Sequence, residues 1–578
     1  MNKEKFKSFQ RLKFTQIRFF TILNPILNNY TMNFNSPLSA FQYWESNTPN
    51  NIMFNQPFED GMKIYTYKDA GKEIRKIANA IKTLNYPEKS KITILSKNCA
   101  HWIMSDLAIQ MSGHITVPIY PTINAESIYE IVHHSESKAA IVGKLDNYEA
   151  QKEGLRGVFR IGVTAYGIEE QESWENMVAT HEPMQDVPTQ TPEELLTIMY
   201  TSGTTGSPKG VMHKVGSFAQ LANTAIDSFK MNVKNPSFFS YLPLTHIAER
   251  IGIEMYGLFL GASFTFPFSL ETFSKDLAAT QPHSFFAVPR IWTKFQEGIL
   301  AKMPQKKLNR LLSIPIINNI VRKKIKAKLG LSRAVTIFSG AAPLAINIME
   351  WYKKLGIEIL QAYGMTEDCI LAHFNLPGAN KFGTVGKPLK GLTAKLSPEG
   401  EILVKSDCLM LGYYKEPELT AEAFTEDGYL KTGDIGEYDH DGYLTITGRI
   451  KDQFKTDKGK YISPAPIEMQ FSKNPDVELI CIVGMGIPQP IALVVASESG
   501  KQKGREALAQ SLTQTIKELN PKLEKVEKIE KVVVMSEEWT VDNGLLTPTL
   551  KIKRNRVEKI HMPMYKEWFE ANEVVIFE

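Results

Sequence analysis

The apolar run Leu195–Met199 (LLTIM) passes without a break into Tyr200-Thr201-Ser202-Gly203-Thr204-Thr205-Gly206-Ser207-Pro208-Lys209-Gly210. A run of that length reads as a buried strand, so the fold has to place a glycine-rich loop at the end of an interior strand. Three glycines let backbone N–H groups close on an anion. The hydroxyls of Thr201, Ser202, Thr204 and Thr205 add donors, and Lys209 adds a fixed positive charge. A polyphosphate is what this composition suits. The spacing departs from the Walker A pattern, which needs four residues between its first glycine and a closing Gly-Lys-Ser/Thr. A surface linker would not begin on a buried strand and end in Pro-Lys-Gly.

Around this loop the chain alternates strand and helix patterns. Lys91–Leu95 reads as a strand, Ala100–Met111 as an amphipathic helix, and His114–Ile119 as a strand. Ala125–His134 follows as a helix and Ala139–Val142 as a third strand. Such alternation implies parallel α/β layers. With 578 residues, several domains are needed. A fresh rhythm begins after Arg449, with strands at Leu479–Val483, Ile491–Ala496 and Lys531–Met535 and a helix at Arg505–Leu519. The expected organisation is a large α/β domain over residues 32–450 and a small α+β domain over 451–578, with 1–31 as a basic leader.

The 43% hydrophobic and 22% charged fractions exclude disorder and collagen. Four scattered cysteines without a Cys-x-x-Cys pair argue against a zinc knuckle or redox dithiol and fit a reducing, cytoplasmic setting. Residues 1–31 hold six Lys/Arg and one acid, leaving the rest near neutral, so no nucleic-acid partner is expected. The leader reads either as a basic membrane-surface or transit segment or as sequence upstream of a start at Met32; the latter is favoured. The apolar runs Phe19–Ile26 and Met255–Leu270 are short for a membrane span. Lys302–Arg333 carries ten Lys/Arg and no acid around an apolar centre, LLSIPIINNI. That pattern suits an anionic surface such as the inner face of a membrane, or a solvated helical face.

Further motifs follow the loop in order: Tyr241-Leu-Pro-Leu-Thr-His246-Ile-Ala-Glu249-Arg250, Val288-Pro-Arg-Ile-Trp292, Ser339-Gly340-Ala341-Ala342-Pro343, Gln361-Ala-Tyr363-Gly364-Met-Thr366-Glu367, Tyr429-Leu-Lys-Thr-Gly-Asp434, Gly448-Arg449-Ile-Lys-Asp452 and Leu545–Arg554. His246 and Glu249 lie one helical turn apart, yet no third ligand makes them a zinc site. An aromatic face such as Tyr363 can stack a base, and a carboxylate such as Glu367 suits Mg²⁺. The aromatic residues of Phe238–Phe268 fit either a greasy tunnel wall or plain core.

Together these motifs resemble the adenylate-forming superfamily of acyl-CoA synthetases, luciferases and peptide-synthetase adenylation domains, and most nearly its long-chain and bubblegum-type acyl-CoA synthetases. The resemblance runs from about Ser39 to the C-terminus. It implies a large multi-layer α/β domain with a small mobile α+β domain, and a ligase using ATP, Mg²⁺ and coenzyme A. By the same resemblance the 201–210 loop with Lys209 holds phosphates, and Gly340, Ala341, Ala342, Gln361, Tyr363 and Gly364 form the adenine pocket. Thr366 reaches the α-phosphate, Glu367 the Mg²⁺, and Asp434 with Arg449 the ribose. Asp452 is the hinge, and His246 and Gly459 border the acyl and pantetheine channel. Lys551 bridges the attacking carboxylate and the α-phosphate, with Lys553 as a register alternative because Leu550 stands where relatives have glycine. Lysines at 455, 458 and 460 replace the usual residues around Gly459. The implied function is conversion of a long-chain fatty acid to acyl-AMP and then to acyl-CoA. The rivals are an adenylation-only ligase serving another acceptor, and a non-catalytic acyl- or nucleotide-binding uptake partner. An oligomer is compatible with the sequence.

Overall fold

The computed structural model describes residues 33–202, 208–370, 372–541, 543–547 and 550–578. The basic leader lies outside them.

The parallel layers expected from the sequence form two sheets. In the first, strands run in the order Gly412–Tyr413, Pro208–Lys214, Leu195–Ser202, Ile115–Ile119, Lys91–Leu95, Ala139–Val142, Phe159–Gly162 and Glu172–Ser173. Its middle is parallel, with Ile92 level with Thr116 on one side and Ala139 on the other. The second sheet has nine strands among the described residues. Its centre, Ser263–Thr265, Ser237–Phe239, Ser284–Ala287, Thr336–Ser339 and Leu360–Tyr363, is also parallel. A four-stranded antiparallel sheet, Thr393–Leu396, Glu401–Lys405, Leu430–Tyr438 and Leu444–Arg449, completes the large domain. After Asp452, a small domain builds its own four-stranded sheet from Val477–Val483, Ile491–Ala496, Lys531–Val534 and Val575–Phe577.

The helix Ala100–Met111 has the predicted ends but is not amphipathic: all twelve residues are buried. It lies inside the main core rather than on its surface. Burying Asp106 there requires a partner, which is Arg250 at 2.5 Å, both side chains fully buried. Arg250 also donates to Thr197 Oγ1 on the strand that feeds the glycine-rich loop, at 3.1 Å. Trp102 and Phe218 flank its guanidinium at 5.4 and 5.6 Å. Burial drives the nearby Glu254 carboxyl well above its usual range.

The preceding residue, Glu249, faces the other sheet. Its carboxylate accepts from Ser240 Oγ and Tyr241 N, each at 2.9 Å. The segment from His246 is thus pinned to one sheet by Glu249 and to the other by Arg250. From Arg250 the helix widens to a π-helical turn that runs to Met255, a distortion common where a helix serves a site. Removing one partner of a buried ion pair strands the other charge. Asp106→Ala is therefore expected to cost about 3 kcal/mol, and the double variant Asp106→Leu/Arg250→Met clearly less. Urea unfolding of the large domain checks this, and equal losses in both variants would contradict it.

Candidate active-site cleft

The C-terminal ends of parallel strands in an open α/β sheet form crevices for ligands, and here one cleft of 2660 Å³ runs across them to the small domain. One arm is polar. Thr201 and Lys209 face each other across an antiparallel pair at the two ends of the glycine-rich loop. Gly203, Thr204, Thr205 and Gly206, with the side chain of Ser202, fall outside the described residues. Gly340, Ala341 and Ala342 follow the strand Thr336–Ser339 and line the same arm. A Cβ at Gly340 would stand 3.1 Å from Phe286 and 3.3 Å from the Ala362 carbonyl, tight enough to push into the wall. Gly364 is more constrained still, since a Cβ there would meet the Ile370 Cα at 2.4 Å. The Gln361 side-chain oxygen is buried without a partner among the described residues.

Asp434 and Arg449 sit opposite each other on adjacent antiparallel strands and pair at 2.5 Å. Tyr363 donates its hydroxyl to the other Asp434 oxygen at 2.7 Å. Asp434 holds the Arg449 guanidinium firmly protonated. Glu367 accepts from the Tyr413 hydroxyl at 2.9 Å, and the Lys209 ammonium lies 5.4 Å from the centre of the Tyr413 ring. Burial raises the Glu367 pKa, while Tyr413, Arg449 and Lys209 work against that shift. Tyr413 thus joins the two charged groups of the phosphate arm, and the sequence reading missed it. Its only signal was Gly412-Tyr413-Tyr414 following a strand-like stretch.

Among the described residues no three His, Cys, Asp or Glu side chains gather to hold a metal. Glu367 offers one hard carboxylate to the cleft. That fits Mg²⁺ arriving on a nucleotide with most of its ligands already in place. His246 and Glu249 form no metal pair, because Glu249 is committed to Ser240 and Tyr241.

The other arm is apolar, lined by Leu221, Ala225, Phe229, Ile251, Tyr256 and Phe338. Phe229 and Phe338 pack edge to face at 4.8 Å. Of the Phe238–Phe268 aromatics only Tyr256 reaches this wall; Phe238, Phe239, Phe259, Phe264 and Phe266 are buried core. His246 stands between the arms. Burial, reinforced by the charge of Lys551, lowers its pKa to about 3, so it is a neutral imidazole.

Lys551 comes from the small domain on a tight loop closed by Thr547 N to Lys551 O and by Leu550 N to Thr547 O, both 2.8 Å. The Lys551 amide in turn donates to Thr547 Oγ1 at 3.0 Å. Leu550 holds the left-handed φ of +61° that glycine would adopt freely. The charge of Lys551 acts on His246, and the charges of Arg449 and Asp434 act on the Lys551 amine; Lys551 and Lys553 both line the cleft. Thr366 and Asp452 line the cleft, whereas Gly459 does not. Gly459 closes a hairpin turn at φ +73°, with its N–H on the Thr456 carbonyl at 2.9 Å. The structure therefore brings Lys551 to His246 and leaves Gly459 elsewhere.

Fold and cleft together define a two-lobed nucleotide- and acyl-binding protein whose small lobe delivers a lysine to the larger one. Residues 41–414 match the AMP-binding enzyme family, and residues 451–570 match the AMP-binding enzyme C-terminal domain. The chain belongs to the AMP-binding enzyme family. It is 29% identical to long chain acyl-CoA synthetase 5 of Arabidopsis thaliana, over 88% of this chain and 87% of the relative. It is 27% identical to long-chain-fatty-acid–CoA ligase 5 of Rattus norvegicus, over 90% and 85%. Among solved structures, the adenylation domain of a carboxylate reductase from Mycobacterium chelonae superposes with a TM-score of 0.76 at 20% identity, covering 94% of this chain and 92% of that one. An anthranilate CoA ligase with bound anthranoyl-AMP gives 0.75 at 20% identity, over 91% and 97%.

Enclosure in the cleft, helped by Arg449, lowers the Lys551 pKa to about 8, and Asp434 opposes that shift. Competitive amine labelling across pH should give a Lys551 midpoint near 8. Arg449→Gln should raise it by removing a like charge, and Asp434→Asn should lower it by removing an opposite one. A wild-type midpoint in the ordinary lysine range would mean the amine does not enter the cleft.

Proposed function

We propose that this protein is an ATP-dependent long-chain fatty acyl-CoA ligase. The observation that carries the reading is the meeting of a polar arm, an apolar arm and Lys551 at one junction. The long-chain acyl-CoA synthetases to which the chain is similar along nearly its whole length support the substrate class. The four free, buried cysteines fit a cytoplasmic setting, and no helix among the described residues is long and apolar enough to cross a membrane.

In the first half-reaction the fatty acid lies in the apolar arm and its carboxylate oxygen attacks the α-phosphorus of Mg·ATP. The bond to pyrophosphate breaks. Lys209 and Lys551 offset the charge that gathers on the phosphoryl oxygens, and Thr366 donates to them. Tyr363 stacks on the adenine, and Asp434, oriented by Arg449 and Tyr363, accepts from the ribose hydroxyls. Glu367 supplies a carboxylate to the Mg²⁺ carried by the nucleotide. In the second half-reaction the small domain turns about Asp452, withdrawing Lys551. The thiolate of coenzyme A then attacks the acyl carbonyl, and AMP leaves. His246, neutral and beside the junction, borders the thiol's path without carrying charge, and Gly459 reaches the channel only after the turn. No protein nucleophile takes part.

Lys551→Ala is expected to slow acyl-AMP formation at least about a hundredfold while leaving transfer from synthetic acyl-AMP to coenzyme A nearly unchanged. Separate assays of the two half-reactions read the split. Equal loss in both, in a protein that melts like the parent, would refute the assignment of Lys551 to the first step.

A further inference from the structure

The ten cations of Lys302–Arg333 take no part in the cleft chemistry, and the structure shows what they surround. The segment forms a helical hairpin, Gln305–Ser313 and Ile317–Lys328. Its inner face is apolar: Leu308, Val321, Ile325 and Leu329 are buried in a core shared with Trp292 and Tyr352. The hairpin is therefore a fixed part of the domain. At its tip the pattern reverses, and Ile314, Ile316, Ile317 and Ile320 all face solvent. Ile316 is 76% exposed and holds a φ of +72°, a conformation that β-branched residues seldom adopt. A side chain both strained and solvent-facing adds little to the hairpin's own packing, so its apolar surface answers to something outside the chain.

The charge around the tip says what that is. On one helix, Lys306 and Arg310 lie four residues apart and lead to Ile314; on the other, Ile320 is followed one turn on by Lys323 and Lys324. Lys306, Lys307, Arg310, Lys323 and Lys324 are exposed. Arg322 and Arg333 donate to main-chain carbonyls, but among the described residues none of the ten makes an ion pair. An apolar tip ringed by unopposed cations matches a lipid surface with anionic headgroups over hydrocarbon. A nucleic acid or an acidic protein would use the cations and leave the four isoleucines in water. The helix Pro289–Lys302, which lines the cleft with Thr293, Glu297 and Leu300, runs directly into this hairpin.

We infer that the Ile314–Ile320 tip and its flanking lysines and arginines dock the protein on an anionic lipid bilayer. The inference stands independently of the substrate reading, since it rests on residues outside the cleft.

Flotation of the full chain with phosphatidylcholine vesicles, with and without about one-third phosphatidylglycerol, tests it. The wild type should bind the anionic vesicles at least about tenfold more tightly than the neutral ones, and less so as salt rises. Ile316→Asn/Ile320→Ser should lose that binding at least about tenfold. Lys323→Gln/Lys324→Gln should lose the preference for anionic lipid. Both variants should keep the wild-type rate of ATP-dependent pyrophosphate release on a soluble acid, which shows that they fold. Absence of binding by the folded wild type would overturn the inference, as would tip variants that bind like it. Retention on heparin without binding to vesicles would overturn it in favour of a polyanionic macromolecule.

Discussion

Two adjacent side chains, Glu249 and Arg250, decide where the two halves of the large domain meet. Arg250 is held by Asp106 and Thr197 of the eight-stranded layer, and Glu249 by Ser240 and Tyr241 of the nine-stranded layer. Neither bond set is replaceable by solvent, because both side chains are buried. The helical segment that contains them begins at His246 and carries Ile251 and Tyr256 further along. The position of the acyl arm relative to the phosphate arm therefore follows from a buried polar clamp in the core, in which burial raises the Glu249 carboxyl to about 8. Thr197 adds a second link, since it belongs to the strand Leu195–Ser202 that carries Thr201.

The electrostatics of the junction follow from that placement. Lys209, Arg449 and Lys551 line the cleft together with Asp434 and Glu367. Asp434 is satisfied by Arg449 and Tyr363, and burial raises the pKa of Glu367. Enclosure in the cleft, helped by the like charge of Arg449, lowers the pKa of Lys551.

Much of this was legible in the sequence, and the exceptions have physical causes. Strand and helix limits at Lys91–Leu95, Ala100–Met111 and Ala139–Val142 follow from periodicity and agree with the structure. The burial of Ala100–Met111 on every side does not follow, since its polar residues Asp106 and Gln110 mimic an exposed stripe until Arg250 and Gln190, distant in sequence, are placed beside them. Local pattern cannot reveal a pairing that spans 144 residues. Tyr413 was missed for the same reason, its neighbour Glu367 being 46 residues away. Leu550 shows the converse. The expected glycine is absent, yet the backbone keeps the left-handed turn, held by the bonds of Thr547.

The central claim is that one cleft activates a long fatty acid with ATP and passes it to coenzyme A. Pyrophosphate release with Mg·ATP, measured across acids from acetate through palmitate to benzoate, with and without coenzyme A, tests it most directly. The account predicts repeated turnover on the long chains that depends on coenzyme A. A stoichiometric burst of pyrophosphate unchanged by coenzyme A would contradict it and point to a different acyl acceptor.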